Sequence, residues 1–334
     1  MIIQLKKDIT EIQRLAIDTV LVDLDIKTVD VVTQANHYKV AVLNKEIDIR
    51  LVGTMPGIQD VHRVTDNYKL VSGKWKVKPT QISLGDGVVI GGDDFSIMAG
   101  PCSIESEEQI EIIASHLVKN NVKIMRGGVF KPRSSPYAYR GIGIEGLKLF
   151  YSICREKGIK IVTEVMQVSQ IDEMIDYVDV FQVGARNTQN FNLLDALGRV
   201  DKPVLLKRGV SGSIDELLQS AEYVFSAGNE KIILCERGIR TFENAYRNTF
   251  DINAIPILKE KSHLPVIADP SHGIGIRKHV AKITLAALVA GADGAIIEMH
   301  HEPEKAFSDG QQTLNFAEFD LLVKQITQLK NAMD

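Results

Sequence analysis

Residues 123–141 read KIMRGGVFKPRSSPYAYRG, which sets Arg126, Lys131, Arg133 and Arg140 beside Ser134 and Ser135 with no acid among them. Pro132 and Pro136 each fix their own φ and hold the preceding residue extended, so the loop is stiff. A stiff cationic loop with hydroxyls suits phosphate or carboxylate, because a guanidinium presents a planar fork of donors to paired oxygens. A merely solvated basic loop would carry the same charges, yet has no use for two glycines and two prolines around them.

Further along, Arg186, Lys207 and Arg237 each follow a short apolar run, as Arg126 does. Gathered with Lys131 and Arg133, they would place six cations around one mouth, and only anionic ligands could offset their repulsion. A second set is Cys102, His272, Glu298 and Asp309. One thiol, one imidazole and two carboxylates suit a divalent transition metal and discriminate weakly among Mn, Fe, Co, Zn and Cu. No member convinces alone: a lone cysteine is more often packing than ligand, and acids at strand ends often cap helices. Cys154 and Cys235, the other two cysteines, read as structural.

These groups are far apart in the chain, so the fold must gather them. From Phe95 onward, short apolar strands alternate with helical segments. Strands are expected at Phe95–Ala99, Val122–Met125, Lys160–Thr163, Val180–Val183, Val204–Leu206, Ile232–Leu234, Val266–Ala268 and Ala295–Ile297. Helices are expected near 106–120, 144–157, 168–177, 190–198, 214–227, 251–261, 277–290 and 315–332. Eight strands each followed by a helix predict an α/β fold, a (β/α)8 (TIM) barrel. A doubly wound sheet would need an early G-x-G-x-x-G turn, which the first βα junction lacks. In a barrel the chemistry lies at the C-terminal ends of the strands, where every cation and metal-ligand candidate above falls. Residues 1–66 read as a small α+β unit of order β-α-β-β-α-β, ferredoxin-like or ACT-like. A polar connector, 67–80, carries the only tryptophan, Trp75, and 81–334 forms the barrel with a hairpin at 81–93.

Composition narrows the partners. With 334 residues and a formal net charge of -4, nucleic acid is not expected as the main partner. The N-terminus, MIIQLKKDITEIQRLAIDTV, is interrupted by charges, so no signal peptide is expected. The longest apolar run, Ile283–Ala290, is too short to span a bilayer. Three cysteines without paired spacing fit a reduced, cytoplasmic compartment.

Seven motifs carry a resemblance: AGPCSIES at 99–106, RGGVFKPRSSPYAYRG at 126–141, QVGARNTQNF at 182–191, LLKRG at 205–209, LCERGIRTFE at 234–243, DPSHG at 269–273 and SDGQQ at 308–312. From about Phe95 to its end the chain closely resembles the 3-deoxy-D-arabino-heptulosonate-7-phosphate (DAHP) synthases of the shikimate pathway, in the type with an N-terminal ferredoxin-like regulatory domain. The first 66 residues match in length and order of elements more than in residues. The resemblance implies condensation of phosphoenolpyruvate with erythrose 4-phosphate, with a divalent metal required. It makes Cys102, His272, Glu298 and Asp309 the metal ligands. It gives phosphoenolpyruvate to Arg126, Lys131, Arg186, Lys207 and Arg237 with the Ala185 backbone. The aldose would sit on Lys131, Pro132, Arg133 and Ser134 beside Asp309, with its phosphate on Arg133 and Ser134. Lys131 is the expected proton donor to the new alkoxide, and Glu164 the residue that positions the attacking water. Related enzymes imply a homotetramer and, through residues 1–66, inhibition by tyrosine or phenylalanine.

The chain departs from the family pattern twice. Ser134 stands where threonine is usual, which keeps the hydroxyl. His300-His301 stands where His-Pro is usual, and His301 is expected to face solvent. Two rival readings are a 3-deoxy-D-manno-octulosonate 8-phosphate synthase, which takes arabinose 5-phosphate, and a non-catalytic anion- or metal-binding barrel. The former typically has Lys-Ala-Asn-Arg-Ser-Ser where this chain has Lys131-Pro132-Arg133-Ser134-Ser135. An intact ligand quartet and intact cations speak against the latter.

Overall fold

A computed structural model of the chain describes residues 1–43, 47–131, 137 and 139–333. Its N-terminal part comprises β1 (Ile2–Leu5), α1 (Glu11–Asp23), β2 (Thr28–Val32), β3 (His37–Ala41), α2 (Arg50–Gly53) and β4 (Ile58–His62). The four strands pair antiparallel in the order β2-β3-β1-β4. Thr10 caps α1: its hydroxyl accepts from the Gln13 amide while the Gln13 side chain accepts from the Thr10 amide. Two of the four orphan amide groups at the helix start are thereby satisfied. Ile17 and Leu21, one turn apart, pack from α1 onto Ile3 and Leu5 of the sheet. The second helix of the expected β-α-β-β-α-β order is only the single turn Arg50–Gly53; residues 44–46 lie outside the described set.

The expected connector is packed down through its first half, while Val77–Pro79 are exposed. Tyr68, Leu70, Val71 and Trp75 are all buried. The Glu222 carboxylate accepts from the Leu70 and Val71 amides, and Trp75 Nε1 donates to Leu70 O. His263 Nε2 sits 2.8 Å from Leu70 O, which can only accept, so Nδ1 must accept from Thr80 Oγ1 at 2.7 Å. Tyr38 of the small sheet meets Trp75 and Phe225 edge-on at 5.6 and 6.1 Å. Thr33 and Asn36 donate to Glu230, which completes the seam between sheet and barrel flank.

A hairpin, β5 (Ile82–Gly85) and β6 (Val88–Ile90), precedes the barrel. The barrel strands are β7 (Ser96–Gly100), β8 (Ile124–Arg126), β9 (Lys160–Val165), β10 (Val180–Val183), β11 (Val204–Lys207), β12 (Ile232–Glu236), β13 (Val266–Ala268) and β14 (Gly294–Glu298). All pair parallel, and β14 closes on β7. Alternate residues point inward, so Met98, Ile124, Val162, Val180, Leu205, Ile233, Ile267 and Ile296 fill the interior, and hairpin residues Ile82, Val88 and Ile90 plug its lower end. Residues of opposite parity, such as Met125, Ile161, Phe181 and Leu234, meet the surrounding helices. Arg126, Lys207 and Glu298 stand at the C-terminal ends of otherwise largely apolar strands, the end of a barrel where its loops gather.

The helices are α3 (Glu107–Lys119), α4 (Gly143–Glu156), α5 (Ser169–Met174), α6 (Phe191–Gly198), α7 (Ile214–Ser226), α8 (Ala254–Lys261), α9 (Pro270–Ile274), α10 (Arg277–Val289) and α11 (Phe316–Met333). The short α9 has no counterpart in the sequence reading. Asp269 caps it and Pro270 occupies its first turn, the preferred position for a residue without an amide hydrogen. Among the described residues, no helix is long and apolar enough to cross a membrane.

Candidate active site

Gly100 ends β7 where a Cβ would stand 2.2 Å from Arg126 O, so only glycine lets the adjoining strand β8 run past. Two residues on, Cys102 is 3 % exposed. Its Sγ donates to Asp309 Oδ2 at 3.0 Å and receives Lys131 Nζ at 3.0 Å, while the same ammonium holds Cys102 O at 2.9 Å. Glu298, the last residue of β14, presents Oε1 to Arg126 Nη1 (3.2 Å) and to His272 Nε2 (3.5 Å). Cys102, Glu298 and Asp309 thus bring one donor atom each within 4.8 Å of one another. His272 joins from the side, on α9.

The chemistry of this set fits a divalent cation. Burial pushes the Cys102 thiol up to about 12, with Glu298 adding to the effect. Its Sγ therefore holds a proton unless a cation takes that place. Burial alone would raise the Asp309 carboxyl, but the Cys102 hydrogen bond and the Arg247 charge hold it below its ordinary value. His272 Nδ1 lies 2.9–3.0 Å from both oxygens of Asp269, which leaves Nε2 facing Glu298. A carboxylate behind the imidazole is the usual support of a histidine ligand.

Beside this cluster opens a cavity of about 600 Å³ lined by Arg126, Lys131, Arg186, Lys207, Arg237, Arg240 and Arg247, with Ala185 and Glu164. Five of the six expected cations therefore share one wall. The sixth, Arg133, lies with Pro132 and Ser134 outside the described residues. Arg126 pairs with Glu298 and Lys207 with Asp269 (2.5 Å). Arg186, Arg237 and Arg240 have no carboxylate partner among the described residues. Arg237 is 6 % exposed, and burial pulls its guanidinium below the usual range; a buried cation so placed gains from an anionic ligand. Glu164 reaches the cavity over Gly184, where a Cβ would lie 2.1 Å from Glu164 Oε1.

Not every strand-end charge serves the cavity. Arg208 turns away from Lys207 to pair with Glu236 and Asp251 at 2.9 Å each, and Glu236 Oε1 also accepts from the Gly238 amide. This buried network braces the rim from behind. Cys154 and Cys235 are buried in the core, their sulfurs set against Met125 Sδ and Glu236 O. His301 is partly covered, 23 % exposed in its side chain, and stacks on His300 at 4.4 Å. Sequence reading overlooked Arg240, Arg247, Asp269 and Gln312. The signal was available: Arg240 and Arg247 follow Arg237 in one glycine-led loop, and Asp269 and Gln312 belong to motifs already singled out.

Residues 75–334 match the DAHP synthetase I family. A phospho-2-dehydro-3-deoxyheptonate aldolase of Thermotoga maritima is 48 % identical over 276 residues, covering 83 % of this chain and 81 % of that protein. A 2-dehydro-3-deoxyphosphooctonate aldolase of Syntrophobacter fumaroxidans is 33 % identical over 72 % of this chain and 88 % of its own length. The crystal structure of the Thermotoga maritima DAHP synthase superposes with a TM-score of 0.80 at 42 % identity, over 99 % of this chain and 97 % of that one. The family match, the heptonate aldolase identity and this superposition agree: the chain is an enzyme that belongs to the DAHP synthetase I family.

Proposed function

We propose that this chain condenses phosphoenolpyruvate with erythrose 4-phosphate to give DAHP and inorganic phosphate, and that it needs a divalent metal to do so. The carrying observation is the pairing of two features in one barrel mouth: cations without carboxylate partners, and a thiol–carboxylate cluster within 4.8 Å. Arg126, Lys131, Arg186, Lys207 and Arg237 with the Ala185 backbone hold phosphoenolpyruvate. Lys131, Pro132, Arg133 and Ser134 receive the aldose beside Asp309. Cys102, His272, Glu298 and Asp309 hold the metal, one of Mn, Fe, Co, Zn or Cu. When bound, it supplies Lewis-acid polarisation of the aldehyde.

The cations cancel repulsion between two phosphorylated substrates and hold their carbons close, an electrostatic and an entropic aid together. The enol carbon attacks the aldehyde carbon, and Lys131 Nζ delivers a proton to the former aldehyde oxygen. That ammonium is well placed, since it lies against Cys102 Sγ while lining the cavity. Glu164 positions the water that adds to the enolpyruvyl carbon, whose bond to the phosphate oxygen then breaks. Conversion of arabinose 5-phosphate is the second reading, favoured by the octonate aldolase relatives at lower identity. Phosphate release with each aldose, with and without EDTA, decides. Activity with erythrose 4-phosphate that EDTA abolishes and Mn restores is expected; activity of verified metal-free protein would refute the metal assignment.

The N-terminal unit, residues 1–66, serves regulation by tyrosine or phenylalanine in a homotetramer. Its sheet docks on the barrel flank through Tyr38 and Glu230, and among the described residues none of 1–66 lines the cavity at the mouth. An effector that binds better to an arrangement covering the mouth would inhibit, because only differential affinity shifts such an equilibrium.

A further inference from the structure

Two of the four residues assigned above to the metal are carboxylates, and each has one oxygen turned inward and one turned out. Asp309 faces Cys102 Sγ with Oδ2, and its Oδ1 lies 3.3 Å from Arg247 Nη1. Glu298 faces Arg126 and His272 with Oε1, and its Oε2 accepts from Gln312 Nε2 at 2.5 Å. The same Arg247 Nη1 donates to Gln312 Oε1 at 2.7 Å. One guanidinium therefore restrains the outer oxygens of both carboxylates, directly in one case and through a buried amide in the other.

The loop bearing this arginine also grips the third candidate ligand. Asn248 Nδ2 donates to His272 O at 2.8 Å, and the Arg247 amide donates to Ile274 O at 3.1 Å. Gly275 ends α9 at φ +69°, and a Cβ there would come within 2.3 Å of Arg247 Cβ. The arginine stem lies flat on the end of the helix that carries His272.

We propose that Arg247, acting through Gln312, is a positioning residue that fixes which oxygen of Asp309 and of Glu298 faces the metal. An amide is suited to the middle position: it donates to one carboxylate while accepting from the guanidinium, which neither lysine nor glutamate could do there. Unrestrained, either carboxylate is free to rotate and offer both oxygens, which changes coordination number as well as affinity. Outer groups of this kind typically change metal affinity by about 10–100-fold when removed.

The inference rests on the metal assignment above, and cobalt(II) titration of metal-free protein separates the two. Thiolate-to-cobalt charge transfer reports Cys102, and the visible d–d bands report coordination geometry. Wild-type protein is expected to show both. Arg247→Ala and Gln312→Leu should bind cobalt about 10–100-fold more weakly, with altered d–d bands, and the double variant should be little worse than either single one. Arg247→Lys should recover part of the affinity at most. Arg247 has a side chain 41 % exposed, so its variants should fold, as circular dichroism will show, and that series decides even if Gln312→Leu does not fold. No charge-transfer band in the wild type would refute the metal assignment itself. Wild-type-like cobalt affinity and bands in Arg247→Ala, with only a raised KM for a substrate, would overturn the positioning role while leaving that assignment standing. Additive losses in the double variant would overturn the linkage through Gln312.

Discussion

Lys207→Met removes the cation of the Lys207–Asp269 pair while nearly keeping its volume. Both side chains are essentially buried, at 5 % and 1 % exposure, and they meet at 2.5 Å. Burial alone would raise the Asp269 carboxyl; His272 and Lys207 together hold it well below the usual range. Loss of one partner from a buried ion pair costs about 3–5 kcal/mol, chiefly because the other charge is left behind. His272 still supports Asp269 from the other side, so the lower end of that range is expected. Urea unfolding of the metal-free proteins at pH 7 measures it. Lys207→Met with Asp269→Asn should restore most of the lost stability, since no lone charge then remains. Activity should behave differently. A charge-assisted bond to phosphoenolpyruvate is worth about 1.5–3 kcal/mol, so kcat/KM falls about tenfold or more in Lys207→Met, and the double variant does not recover it. The reasoning is refuted if Lys207→Met is as stable as the wild type, or if the double variant is no more stable than the single one.

His263 predicts an acid limit on the seam that anchors residues 68–80. Burial, and then the Lys76 charge, pull its imidazole from 6.5 to about 4. Above pH 6.5 neither state is protonated; as pH falls from 6.5 to about 4 the unfolded chain binds a proton that the folded chain refuses. Stability should therefore drop by up to roughly 3 kcal/mol across that window, and His263→Asn should flatten this part of the urea-unfolding pH profile. Gly184→Ala should displace the Glu164 carboxylate, 2.1 Å from the added Cβ, lowering kcat more than global stability; unchanged kcat with each substrate saturating would remove Glu164 from the mechanism. Arg133→Ala should raise KM for erythrose 4-phosphate while sparing direct binding of phosphoenolpyruvate, and equal damage to both would mean the subsites are wrongly divided. A chain beginning at Thr65 should stay active and lose any response to tyrosine or phenylalanine. One beginning at Val77 should be less stable in urea, because Glu222 loses the Leu70 and Val71 amides and Trp75 is gone.

Much of the architecture was legible because it rests on local rules. Apolar runs of three to six residues alternating with amphipathic segments specify strands and helices, and eight such pairs specify a closed parallel barrel. Each strand was located to within two residues at either end. Charge type and position at strand ends were also local, so Arg126, Lys131, Arg186, Lys207 and Arg237 could be placed on one wall before any coordinates. What the chain could not disclose by itself was the direction in which neighbouring charges turn. Lys207 and Arg208 are adjacent in sequence, yet successive residues of a strand point to opposite sides. One therefore meets Asp269 at the mouth and the other the Glu236–Asp251 network behind it. The connector read as polar because lysines and small polar residues break up its apolar ones, whereas burial is decided by where Leu70, Val71 and Trp75 land on the barrel flank. Arg247, Gln312 and Glu298 are joined only when loops from β12 and β14 meet above α9. Residue type and periodicity determined what chemistry was available to this protein. Barrel closure and loop packing decided which atoms face one another, because hydrogen bonds and ion pairs depend on distances that sequence spacing does not contain.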